Sequence, residues 1–192
     1  MKLPPIQGDA SHKDLSGPSI SLRLWTVDDE EDYVTLVREN PKELGQWFSW
    51  ASPDYSGHQF REWLSTFSDD STFLRQHFSI AAEGVVCGSI GFWRINTTAV
   101  ELEYWLTRSH WGAGVALQAV GLVEDYVSRL GFWVAEIHYK ATNYSSARLA
   151  RRAGYKPYIV YSDRAGKPGV LHVGSRKELA KSQQLSARAR KR

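Results

Sequence analysis

The stretch TRSHWGAGVALQAVGLVEDYVSRLG, residues 107–131, joins two different periodicities. Just upstream, AVELEYWLT (99–107) alternates apolar and polar residues, as a half-buried strand does. Downstream, Ala116, Ala119, Val120, Val123, Val127 and Leu130 recur every three or four residues, the period of an amphipathic helix, and Gly131 supplies a stop. Gly112 and Gly114 stand between the two patterns. The first N–H groups of a helix lack intrahelical partners and sit at the positive end of its dipole. Glycines there let an anion approach the backbone without meeting a Cβ. Strand, Gly-x-Gly, helix therefore predicts a phosphate-binding turn, beside the plainer reading of an ordinary strand-to-helix connection. It is not a dinucleotide fingerprint, because Leu117 stands where a third glycine is needed, and no Gly-Lys-Ser/Thr marks a P-loop.

The same reading extends outward. SISLRLWTV (19–27) alternates as a strand, and DDEEDYVTLVREN opens with acids that suit a helix N-terminus and ends before Pro41. Phe60, Leu64 and Phe67 give a second short helix within 57–67. HFSIAAEGVVCGSIGFWRI reads as two strands about a Glu83-Gly84 turn. FWVAEIHYKAT is a strand, NYSSARLARRAG a helix stopped by Gly154, and YKPYIVYSD with GVLHVGS a closing hairpin. Helices interleaved with strands predict a mixed α/β layer of about seven strands with helices on both faces. Trp25, Trp63, Trp93 and Trp133 are expected in the core.

A chain of 192 residues suits one domain, here expected over 18–175 behind a loose leader at 1–17. The net charge of +3 is unevenly spread. From residue 176 onward Arg176, Lys177, Lys181, Arg188, Arg190, Lys191 and Arg192 face Glu178 alone, a balance of +6 that leaves about −3 for the rest. Residues 176–192 thus read as a basic flexible tail, available for ribosome or RNA contact or simply solvated. Cys87 is the lone cysteine, which excludes an internal disulfide and a multi-thiolate metal site and favours a reducing, cytoplasmic compartment. No apolar run reaches the ~18–20 residues of a membrane span. His58, His77, His138 and His172 lack metal-ligand spacing, so no metal is assigned.

EYWLTRSHWGAGVAL followed by NYSSARLARRAGY resembles the GNAT acyltransferases, in particular the branch that acetylates ribosomal-protein N-termini. That family carries a Q/R-x-x-G-x-G/A turn, matched here by Trp111, Gly112, Ala113, Gly114, Val115 and Ala116, with Trp111 in the place usually held by Gln or Arg. Asn143, Ser146, Gly154 and Tyr155 keep the branch's second spacing, and SLRLWTVDDEEDYVTLV and NPKELGQWFSW resemble its opening segments, so the likeness spans about 19–173.

The resemblance implies a GNAT fold and acetyl-CoA as cosubstrate, with pyrophosphate at residues 111–116 and Arg108 and His110 nearby to supply polarity. It further implies a slot between splayed strands in which the pantetheine arm lies along Leu106 and Thr107, with the Leu106 N–H polarising the thioester and Asn143 holding the arm. Ser146 is the implied acid for the leaving thiolate, with Tyr144 and Tyr158 as further candidates. Glu101 and Glu103 share one strand face; by the resemblance Glu101 takes the base position, Glu103 lines the acceptor site, and Asp163 is a third acid. Trp47 and Trp50, with Phe48 between them, fall in the loop that walls the acceptor cleft in the family, where Tyr158 is also placed.

The amine decides how much base is needed. An α-amine of pKa ~7.8 is about one-third neutral at pH 7.5, whereas a lysine amine at ~10.4 is neutral about 0.1 % of the time, costing about 4 kcal/mol. The expected activity is therefore acetyl transfer to a primary amine by direct attack, with a protein N-terminus as acceptor. The alternatives are a small amine-bearing metabolite, toxin or antibiotic, and a non-catalytic acyl-CoA-binding module. Nothing in the sequence indicates an oligomer.

Overall fold

The computed structural model describes residues 14–67, 74–162 and 170–179. One eight-stranded sheet runs through the molecule in the order β1-β2-β3-β4-β5-β6-β8-β7. The strands are β1 (Asp14–Ser16), β2 (Ile20–Leu24), β3 (Arg75–Ala82), β4 (Val85–Arg94), β5 (Ala99–Leu106), β6 (Val134–Lys140), β7 (Lys156–Ser162) and β8 (Leu171–Glu178). Neighbours are antiparallel except β5 and β6, which are parallel and joined by a helical crossover.

The helices are α1 (Glu30–Glu39), α2 (Pro41–Gly45), α3 (Gly57–Ser65), α4 (Val115–Arg129) and α5 (Tyr144–Arg152). Asp29 fixes the 3-10 turn Val27–Asp29 that leads into α1, accepting from the Thr26 N–H at 2.7 Å and from both terminal nitrogens of Arg23. Asn143 caps α5 by accepting from the Ser146 N–H at 3.0 Å. Gly131 and Gly154, at φ +97° and +90°, turn the chain out of α4 and α5 as left-handed caps.

The alternation in β5 sorts two cores onto two faces. Val100, Leu102, Tyr104 and Leu106 face α4, where Ala119, Val120, Val123 and Val127 are buried. Trp105 faces the other way, into an aromatic cluster with Trp25, Tyr33 and Phe60 under α1 and α3. Tyr33 sits 5.0 Å from Trp25 and 5.7 Å from Trp105, both edge-on. Each buried Val or Leu of the α4 stripe contributes roughly 1.5–3 kcal/mol, which holds this helix against the sheet.

Four expectations change. The sheet gains an eighth strand, β1, because Leu15 in the expected leader is buried and pairs with Leu22. Pro41 ends α1 but also starts the short α2, since proline is compatible with a first helical position. Strand β8 continues through Glu178, so Arg176 and Lys177 lie in the sheet rather than in a tail that begins at 176. Trp133 is 46 % exposed and outside the core, because it precedes β6 at the sheet's end, while Trp63 and Trp93 are partly buried. Asp163 and the tail cations from Lys181 onward lie outside the described residues. No helix among the described residues is long and apolar enough to cross a membrane.

Candidate functional site

Strands β5 and β6 part company midway. Their parallel ladder runs from Ala99↔Val134 to Leu102↔Ile137 and stops, while β5 continues to Leu106 and β6 to Lys140. Thr107 N–H donates to the Cys87 carbonyl at 2.8 Å, so these two residues form a hydrogen-bonded pair of the β4–β5 ladder. Leu106, opposite Gly88, is then a non-hydrogen-bonded position whose N–H and carbonyl point away from β4, into the opening. The sheet thus presents an unfilled strand edge in its middle.

The turn of residues 111–114 closes one end of this opening. Gly112 and Gly114 adopt φ +79° and +82°, and no atom lies within 4 Å of where a Cβ would stand on either. Gly114 is the N-cap of α4, and only glycine takes this left-handed conformation without strain. Exposed N–H groups, an open cradle and a fifteen-residue helix suit a phosphate. Trp111, 50 % exposed, turns back and donates its indole N–H to the Leu106 carbonyl at 2.9 Å. Thr107 is buried and contacts His110 Nδ1 at 3.0 Å, while Arg108 reaches Glu43 of α2 at 3.3 Å. The two polar residues near the turn are thereby held by their own neighbours.

On the α4 side of the opening, the Tyr104 hydroxyl and Ser146 Oγ are 2.6 Å apart. Burial pushes the Tyr104 hydroxyl up to about 12 against the opposing effect of that hydrogen bond, so it stays protonated. Ser146 is brought there by the cap that Asn143 makes for α5. Tyr104 was hidden in the sequence as one more apolar-face residue of β5. Tyr144, by contrast, is 74 % exposed at the head of α5.

On the opposite side, Glu101 and Glu103 project from β5 with Trp105. Glu101 sits within the paired part of the ladder, level with Glu136 of β6 and Trp93 of β4. Glu103 is the first residue past the last pair and lies opposite Gly91, whose missing side chain leaves room for the buried His77 ring. Burial raises the Glu103 pKa, and the Arg75 charge offsets only part of that rise. A carboxyl so placed is a better proton acceptor near neutral pH than an ordinary surface glutamate.

Beyond Glu103 the same face carries a hydrogen-bonded cluster centred on Glu136. One oxygen accepts from Tyr158 at 2.6 Å and contacts His138 Nε2 at 3.1 Å; the other accepts from Arg176 at 2.6 and 2.9 Å. Burial would raise the Glu136 pKa, but the bonds from Tyr158, His138 and Arg176 outweigh it and hold the carboxyl below its ordinary value. Tyr161 contacts His138 Nδ1 at 2.8 Å, and Gly174 makes room for the imidazole, which leans toward β7. Tyr158 is therefore committed to Glu136 rather than directed at the Tyr104–Ser146 pair.

The α2 segment spans both ends of the opening. Arg108, just after β5, bonds Glu43, and Lys140, ending β6, donates to the Gln46 carbonyl at 2.8 Å and lies over the Trp47 ring. Phe48 and Trp50 follow with ring centres 5.3 Å apart. The half-buried aromatics Trp47, Phe48 and Trp50 thus stand beside the opening on the Glu103 side.

Comparisons with known proteins give the family and the fold. A family model described as an acetyltransferase (GNAT) domain matches residues 19–156. The chain is 28 % identical over 152 residues to the probable N-acetyltransferase YjcK of Bacillus subtilis, covering 73 % of this chain and 82 % of that one. Among solved structures, the ribosomal L7/L12 α-N-protein acetyltransferase RimL in complex with coenzyme A aligns with a TM-score of 0.74 at 17 % identity, over 88 % of this chain and 99 % of that chain. The microcin C7 self-immunity acetyltransferase MccE, in complex with acetyl-CoA and AMP, aligns with a TM-score of 0.68 at 15 % identity, over 85 % and 94 %. A ribosomal-protein-S5-alanine acetyltransferase from Vibrio fischeri aligns at 0.69 and 15 % identity, over 86 % and 96 %.

Proposed function

Because the chain belongs to the GNAT acetyltransferase family, we propose that it transfers acetyl from acetyl-CoA to the α-amine of a protein N-terminus, in the manner of the ribosomal-protein acetyltransferases whose fold it shares. The observation that carries this reading is the gap beyond Leu102↔Ile137, capped by the Gly112–Gly114 turn at the head of α4. The backbone N–H groups of residues 112–116 hold the pyrophosphate, since that of Trp111 is bonded to the Arg108 carbonyl, and Leu106, Thr107 and Asn143 line the pantetheine path.

The acceptor amine enters from the aromatic side, past Trp47 and Trp50. Its nitrogen forms a bond to the thioester carbon as the carbon–sulfur bond breaks, and the Leu106 N–H bonds the carbonyl oxygen where negative charge gathers. The amine proton passes to Glu103, directly or through water. Glu103 is favoured over Glu101 because it stands at the start of the gap and its pKa is raised by burial. On the far side Ser146, backed by Tyr104, gives a proton to the departing thiolate. The Glu103 carboxyl and the Ser146 hydroxyl then lie on opposite sides of the sheet, as acceptor and thiol must.

A second reading, acetylation of a small ring-bearing amine, is favoured by the Phe48–Trp50 pair beside the opening. Release of CoA thiol from acetyl-CoA separates the two. The panel holds Ser- and Ala-initiated peptides, a lysine peptide with a blocked N-terminus, an aminoacyl-sulfamoyl adenosine and an aminoglycoside. Turnover with the α-amine peptides is expected. Turnover confined to the nucleotide or aminoglycoside overturns the first reading in favour of the second.

A further inference from the structure

Trp111 is the one residue of the glycine turn whose side chain reaches back to the strand. Its indole N–H donates to the Leu106 carbonyl at 2.9 Å, and that carbonyl belongs to the edge of β5 left open by the departure of β6. An open strand edge pairs with whatever extended, amide-bearing chain enters beside it. If the acetyl-CoA reading holds, that chain is the pantetheine arm, and its amide N–H seeks the acceptor that Trp111 already uses. The oxygen could accept two bonds, but the indole stands on its open side, where the arm must also approach, so the two compete for that place.

The indole is built to yield. Trp111 is already 50 % exposed, so its departure into solvent gives up only the half of its surface that is buried. The next residue, Gly112, has φ +79° and nothing within 4 Å of where a Cβ would stand, so it places no side chain beside the indole. The backbone N–H of Trp111 stays bonded to the Arg108 carbonyl at 3.1 Å, so the side chain can leave while the turn keeps its shape. We propose that Trp111 is a built-in competitor for the Leu106 carbonyl, which holds the slot in its bound-like hydrogen-bonding state and is displaced by the pantetheine arm, so that it sets the affinity for acetyl-CoA. The inference rests on the acetyl-CoA reading. A residue that merely braced the turn would have the opposite effect when removed.

Calorimetric titration of the full chain with CoA, and with 3′-phospho-ADP, which lacks the arm, tests this. Trp111→Phe keeps the ring and removes the donor. It is expected to bind CoA about three- to ten-fold tighter, the worth of one net hydrogen bond, and to bind 3′-phospho-ADP unchanged. Equal or weaker CoA binding by the variant overturns the proposal, and weakening of both ligands assigns Trp111 to bracing the turn. If neither protein binds CoA, the acetyl-CoA reading falls as well, whereas binding without the gain removes the competitor alone. The wild-type protein provides a second readout that needs no variant to fold well. The Trp111 indole N–H resonance should move toward its solvent-exposed position with CoA and stay put with 3′-phospho-ADP; a resonance unmoved by saturating CoA overturns the proposal.

Discussion

Glu103 and His138 are the first residues past the last rung of the β5–β6 ladder, one on each strand and both on the side of α1 and α3. They would be the next pair if the strands stayed together. Their fates differ because their neighbours differ. His138 is drawn toward β7 by Glu136 and Tyr161 across the space left by Gly174. Glu103 has Tyr33 and the Arg75 charge near it, and burial raises its pKa. One lip is locked and the other carries a carboxyl that can change state.

Glu103→Gln should lower kcat/KM for a Ser-initiated peptide about 100-fold or more, the usual contribution of a positioned base, while Glu101→Gln has a smaller effect. The wild-type rate should fall as pH drops through a value above 4.5, the ordinary carboxyl value, since burial raises this pKa. The stability effect has the opposite sense to that of a salt-bridged acid. Folding disfavours ionised Glu103, so the cost is absent below its unfolded pKa and complete above the folded one. Glu103→Gln should therefore raise Tm at pH 8 and leave it unchanged near pH 4. Equal kinetic losses in both variants would remove the preference for Glu103.

Gly114→Asp should abolish CoA binding in calorimetry while leaving a folded protein. The added carboxylate would stand at the helix N-terminus where a phosphate is expected, and nothing crowds that position. The left-handed φ of +82° costs a non-glycine residue on the order of 1 kcal/mol, so a melting point lowered by about 2–4 °C is also expected. Gly114→Ala separates the two effects, because it carries the strain without the charge. Normal CoA affinity in a folded Gly114→Asp protein would dismiss the turn as the anion site.

Much of this site was legible because it is periodic or local. Alternation placed Glu101 and Glu103 on one face of β5, and the glycines announced the head of α4. What periodicity cannot report is contact between distant segments. Tyr104 and Ser146 are 42 positions apart and meet because α5 packs beside β6 and α4. Arg176 read as the start of a basic tail, since its sequence neighbours are cations; its partner Glu136 is 40 residues away on β6. Glu103 and Glu101 look alike in sequence, and only the point at which a ladder stops tells them apart.

The Glu136–Arg176 pair should respond asymmetrically to mutation. Glu136 is buried, with 6 % of its side chain exposed, whereas Arg176 is 49 % exposed. Arg176→Ala leaves a buried carboxylate short of its guanidinium partner and should destabilise by about 1–3 kcal/mol near neutral pH. Glu136→Gln keeps the shape, lets Arg176 turn to solvent, and should cost less. Partnered Glu136 has a lowered pKa, so its contribution is present above the ordinary carboxyl range and is lost as pH falls through the folded value. The difference between wild type and Arg176→Ala in chemical denaturation should accordingly shrink in acid. A larger loss from Glu136→Gln than from Arg176→Ala at pH 7 would contradict this account.

Ser146→Ala and Tyr104→Phe should each reduce kcat about 10-fold or more with little change in KM for the acceptor, and the double variant should be hardly worse than either. The reason is that the two hydroxyls act as one donor. At 2.6 Å each fixes the other's proton, and Tyr104, held up to about 12 by burial, does not ionise in the working range. Removing Ser146 leaves the thiolate without its proton, and removing the Tyr104 hydroxyl leaves Ser146 free to turn away. A structural role alone would behave differently: it would lower Tm and leave the dependence of rate on the leaving thiol untouched. Comparing acetyl-CoA with an acetyl donor of lower thiol pKa supplies that control, because an easier leaving group needs less help from an acid. The losses in both single variants should shrink with the more acidic thiol. Losses that add in the double variant, or that are the same for both donors, would separate the pair from proton delivery and return it to packing beneath α5.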